Sequence, residues 1–137
     1  MKSKHAIIVV VGLILVVVAG VWGSTSQPAD KVWEVTATKD NTFVVKGEKK
    51  PMITVKAGQP VKLRITGEKG KEWAKDGSVH SFTIKALADK GWNLRLKEET
   101  KDYTLTAPSK PGEYVIECTV KCGPNHADQR MKLVVTE

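Results

Sequence analysis

From residue 31 onward, apolar and polar residues alternate with a period of two in one short run after another. In VKLRI, Val61, Leu63 and Ile65 fall on one side while Lys62 and Arg64 fall on the other. That is the pattern of a strand with one face buried. YVIEC groups Tyr114, Ile116 and Cys118, and MKLVV groups Met131, Leu133 and Val135. VWEVTAT, TFVVK, MITVK, HSFTI and DYTLT are further runs of this kind, separated by the turn-forming stretches KDN, GEKKP, KAGQP, KPGE and CGPN. About eight short strands with such turns predict an all-β sandwich or barrel. Two stretches are less regular: the charged, Gly-containing loop 67–78 and the connection 85–101. Either stretch has room to hold its tryptophan, Trp73 or Trp92, near a surface, but for such amphipathic rings capping the core is the favoured reading.

The N-terminus follows a different pattern. After a basic head with Lys2 and Lys4, an uncharged apolar run extends from Ala6 to about Gly23. A spanning helix needs about 20 such residues. Residues 1–23 therefore predict a single-pass membrane anchor, with the basic head cytoplasmic and the rest of the chain on the exported side, periplasmic or extracellular. A cleaved signal peptide is the competing reading, and the residues after the run suit its small-x-small cleavage rule poorly. STSQPAD (24–30) reads as a linker, and residues 31–137 as one domain.

A chain of 137 residues leaves room for one such domain and its appendage. The net charge of +7 allows an acidic partner or a membrane surface. Nucleic acid is not expected, because the lysines are dispersed and no nucleic-acid-binding signature is present.

The candidate chemistry lies in ECTVKCGPNHADQRMKLVV. Cys118 and Cys122 stand four apart, His126 follows four later, and Gln129 precedes the last strand. His80 opens an earlier strand, just after a loop. Strand ends from distant parts of a sandwich meet at one pole, which would bring these groups together. Thiolates with imidazoles select copper, zinc or iron–sulfur chemistry. Iron–sulfur clusters usually need more cysteines than the two present here. Zinc fits a two-Cys, two-His set, but copper on a rigid β-sandwich fits the Cys/His set with a weak axial group better. A plain Cys118–Cys122 disulfide is the alternative in an exported domain. His80 has the alternative of a satisfied buried polar residue, and Gln129 that of a loop cap. His5, beside the basic head, has no assigned role.

CTVKCGPNH, with PGEYVIE before it and VHSFTI upstream, resembles the cupredoxin domain of subunit II of haem–copper terminal oxidases, the cytochrome c oxidase type. The resemblance implies a Greek-key β-sandwich behind an N-terminal transmembrane helix, and a dinuclear copper A centre. It implies that Cys118 and Cys122 bridge two coppers and that His80 and His126 each terminate one. The Val120 carbonyl would be a weak ligand beside His126. The family's second weak ligand is a Met, and here that position is Gln129; Met131 falls in phase with the core residues Leu133 and Val135. A harder amide oxygen should lower the reduction potential. Cys122, His126 and Gln129 also read as a mononuclear copper loop, with Cys118 spare.

The resembled domain receives a basic cytochrome c on aromatic and acidic residues. This chain has no Trp-Tyr-Trp run, and residues 31–137 hold 20 basic against 14 acidic residues. A redox partner is therefore expected to be acidic or neutral rather than strongly basic. The implied role is electron transfer, alone or beside an oxidase core subunit. A copper-binding or delivery protein without redox turnover is the other class, though a delivery site would be richer in Met or His. Catalysis by this chain alone is not expected, since a copper saturated by protein ligands has no open position.

Overall fold

The computed structural model describes residues 30–137. The predicted anchor and most of the linker lie outside the described residues, and no described helix is long and apolar enough to cross a membrane. All eight runs form strands: β1 (Val32–Ala37), β2 (Phe43–Val45), β3 (Met52–Lys56), β4 (Pro60–Gly67), β5 (His80–Thr83), β7 (Thr100–Thr106), β8 (Gly112–Glu117) and β9 (Arg130–Thr136). A ninth, β6 (Asn93–Leu96), lies inside the 85–101 connection, after a 3-10 helix over Lys85–Lys90.

Two sheets face each other. One has the order β2-β1-β4-β7, the other β3-β9-β8-β5-β6. Consecutive strands often sit in opposite sheets, so pairs distant in sequence run side by side. β1 is parallel to β4 with Trp33 opposite Leu63, and β3 is parallel to β9 with Ile53 opposite Leu133. The alternation decides which face turns inward: Val61, Leu63 and Ile65 are buried, as are Ile116, Met131, Leu133 and Val135. Met131 thus faces the core, as its strand phase predicts.

The two tryptophans part company. Trp73 is 52 % exposed, but Trp92 is 1 % exposed. Core capping, the favoured reading, fails for Trp73 and holds for Trp92, where Phe82 stacks on the ring and the Thr106 carbonyl accepts the indole N–H at 2.9 Å. Burying so large a ring removes much apolar area from water, and the satisfied N–H removes the penalty that would otherwise oppose it. β5 is buried along its whole length, on both faces. It pairs with β6 on one side and β8 on the other, which brings His80 to the pole where β8 ends.

Candidate metal centre

The ligand-bearing loop is the connection of the β8–β9 hairpin. Glu117 pairs with Arg130, and one step further the Cys118 N–H donates to the Gln129 carbonyl at 3.1 Å. Cys118 and Gln129 thereby face each other across the hairpin's open end. The loop turns back through Gly123 (φ 131°) and Asn125 (φ 65°), both left-handed, then a short 3-10 turn over His126–Asp128. Glycine and asparagine are the residues that adopt such φ values at low cost.

His80, Cys118 and Cys122 place their ligating atoms within 4.8 Å of one another, and all three residues are buried. The two sulfurs lie 3.7 Å apart and both cysteines are free. Gln129, buried to the same degree, brings Oε1 to 3.1 Å from His80 Nδ1 and to 3.3 Å from Cys122 Sγ. The Val120 carbonyl accepts from Cys118 Sγ at 3.3 Å. Five of the six residues singled out in the sequence thus converge.

His126 stands apart. It is half-buried and does not join the close group, but it lines a cavity of about 310 Å³ together with Cys118, Thr119 and Glu117. Its Nδ1 is buried without a hydrogen-bond partner.

The proton positions suit a cation. His80 Nε2 donates to the Glu68 carbonyl at 2.7 Å, so the neutral ring carries its proton there and presents the Nδ1 lone pair to the sulfurs. That lone pair faces the lone pairs of Gln129 Oε1, an arrangement that a metal ion between them relieves. Burial pushes the Cys118 thiol up, but hydrogen bonds at the sulfur, that from the Ser81 N–H among them, outweigh it and leave the thiol lowered. Cys122 is pushed up to about 12 by burial and by the charge of Cys118. Two thiolates at this spacing need a compensating positive charge. The donor set, the free Nδ1 of His80 and the orphaned Nδ1 of His126 therefore fit copper.

Several supporting residues escape sequence reading. Ser81, beside His80, donates its N–H to Cys118 Sγ at 3.4 Å, and its hydroxyl accepts the Thr119 N–H at 2.8 Å. Its place one residue beyond a candidate ligand, on a strand buried on both faces, is the only signal that pointed to it. Glu68 acts through a main-chain carbonyl, for which no side-chain motif exists.

No protein-family model and no curated protein matches this sequence. Solved structures do match in fold. A chain of a heme-copper terminal oxidase dimer superposes with a TM-score of 0.55 at 20 % identity, over 78 % of this chain and 65 % of that one. The periplasmic domain of subunit II of cytochrome oxidase (CoxB) of Bradyrhizobium japonicum gives 0.51 at 14 % identity, over 82 % and 88 %. Auracyanin from Roseiflexus castenholzii gives 0.50 at 16 %, over 80 % and 100 %. At these identities the likeness is one of fold, and the described domain has the cupredoxin fold.

Proposed function

We propose that this protein is a copper-binding electron-transfer protein whose cupredoxin domain is held at the exported face of the cell membrane by residues 1–23. The observation that carries the reading is the buried convergence of His80 Nδ1, both cysteine sulfurs and Gln129 Oε1 at one pole. Cys118 and Cys122 would hold a dinuclear centre through their thiolates, with His80 and His126 as the terminal imidazoles. The Val120 carbonyl and Gln129 Oε1 would be the weak ligands. Copper so held stores and releases a single electron.

The chain's own residues supply three conditions for that role. Burial of the four converging groups excludes water and keeps the surroundings the same in both redox states. The Glu68 carbonyl fixes the His80 tautomer, and Ser81 fixes the sulfur of Cys118. The sheets supply rigidity, since His80 and Cys118 lie at the ends of paired strands.

The excess of basic over acidic residues in the domain, 20 against 14 over residues 31–137, favours an acidic or neutral redox partner. Gly70 packs against the Cys122 and Lys39 carbonyls, so loops 38–42, 67–73 and 118–129 meet at this pole. Lys39, Lys69, Lys71 and Lys121 are exposed there beside Asp40, Glu72 and Asp128, Lys121 paired with Glu72 at 3.6 Å, and Trp73 stands among them with Lys69 Nζ 3.6 Å over its ring. An oxidase core subunit is a candidate acceptor, by analogy with the complexes named above.

Reduced full-length protein titrated with copper tests the proposal. Uptake of two coppers per chain with intense thiolate-to-copper absorption is the expected result. A colourless protein that takes up none would refute it.

A further inference from the structure

The turn between β1 and β2 supplies no candidate ligand, yet it is hydrogen-bonded to the 118–129 loop at Pro124 and Gln129 and to Glu68. Thr38 N–H donates to the Thr42 carbonyl at 2.9 Å and Asn41 N–H to the Thr38 carbonyl at 3.0 Å, which closes the turn. Asn41 has φ 59°, in the left-handed region that asparagine tolerates better than branched residues. Its side chain is buried and its Nδ2 donates to the Pro124 carbonyl, inside the ligand loop. One residue on, the Thr42 carbonyl accepts Gln129 Nε2 at 3.4 Å. On the other side, Lys39 N–H donates to the Glu68 carboxylate at 3.0 Å, and Glu68 is the residue whose carbonyl orients His80.

Neighbouring glycines make room for the Asn41 amide. A Cβ on Gly123 would lie 3.2 Å from Asn41 Nδ2, and one on Gly70 would lie 3.4 Å from Asn41 Oδ1. Asn41 Oδ1 is buried without a partner, which costs stability. The fold as such gains little from an amide half satisfied here. The ligand loop gains a fixed point at Pro124, two residues from Cys122 and two from His126.

We infer that Asn41 is a positioning residue of the metal centre: its amide, bonded to the Pro124 carbonyl, holds the 118–129 loop so that His126 and Gln129 stand ready beside the two cysteines. The inference rests on the copper reading above. Contacts that orient metal ligands are typically worth 10–100-fold in metal affinity.

Two variants test it. Asn41→Gly keeps the left-handed backbone without strain and removes only the amide. Asn41→Asp keeps the shape and turns a carboxylate oxygen toward the Pro124 carbonyl. In the metal-free full-length protein, amide hydrogen exchange at His126, Asp128 and Gln129 should speed up roughly tenfold in both. Exchange at Leu63 and Ile65 in β4 should not change, which shows the sandwich intact. Copper affinity should fall about 10–100-fold, and the thiolate-to-copper bands should shift. Loop exchange at the wild-type rate in both variants overturns the inference, as does wild-type affinity with an unshifted spectrum. Should the glycine variant lose protection in β4 as well, the aspartate variant decides by the same criteria. If the wild-type protein takes up no copper, the proposed function falls, while the exchange arm still decides whether Asn41 holds the loop.

Discussion

Cys118 Sγ lies 3.7 Å from Cys122 Sγ. A disulfide needs about 2.05 Å, so the pair is not bonded, yet neither sulfur is free to move far. Cys118 is held by the Ser81 N–H and Cys122 by Gln129 Oε1. A shared centre needs both sulfurs. Cys118→Ser and Cys122→Ser should therefore each abolish the dinuclear centre, as copper stoichiometry by elemental analysis would show. Unaltered copper content and spectrum in Cys118→Ser, with loss in Cys122→Ser, would instead favour the mononuclear loop.

In the proposed centre Gln129 would tune more than it assembles. Its Oε1 touches both His80 and Cys122, but an axial amide oxygen binds copper weakly. A harder ligand favours oxidised copper, so Gln129→Met should raise the reduction potential in voltammetry and leave copper stoichiometry unchanged. Met131 points into the core, so Met131→Leu should leave the potential alone. An unchanged potential in Gln129→Met with a shifted one in Met131→Leu would make Met131 the axial group.

Asp76 anchors the loop that leads into β5. Its carboxylate accepts the Ser78 N–H at 3.0 Å and the Ser78 hydroxyl at 2.9 Å, and Arg95 lies beside it. The Ser78 bonds, aided by Arg95, lower its pKa to about 2. A carboxylate lowered on folding contributes stability that is present above its unfolded value and is lost as pH falls through the folded one. Its share should thus disappear between roughly pH 4 and pH 2. A carbon-13 titration of the Asp76 carboxylate should show its midpoint near the lower end of that window, and an ordinary midpoint would mean the loop is not held this way.

Much of this architecture is written in local patterns. The period of two names β1 to β5 and β7 to β9, most of which bury one face or flank a core strand, although β5 is buried on both. It misses β6: in Asn93–Leu96 only Leu96 is buried, and the strand exists because β5 offers it hydrogen bonds. The position of Trp92 is likewise decided by a distant partner, Phe82, which no local pattern reveals. At the candidate centre, side chains able to ligate a metal are legible by type and spacing. The groups that orient them are less so, because Glu68 acts through its carbonyl and Asn41 through a contact across 83 positions of sequence. His126 is legible as a ligand type, but its half-buried ring outside the close group is a property of the loop's conformation alone.

The central claim is a copper pair shared by Cys118 and Cys122, and electron paramagnetic resonance of the copper-loaded full-length protein tests it most directly. One unpaired electron spread equally over two copper nuclei, at two coppers per chain, is the predicted hyperfine pattern. The pattern of an electron on a single copper nucleus, at one copper per chain, would contradict it.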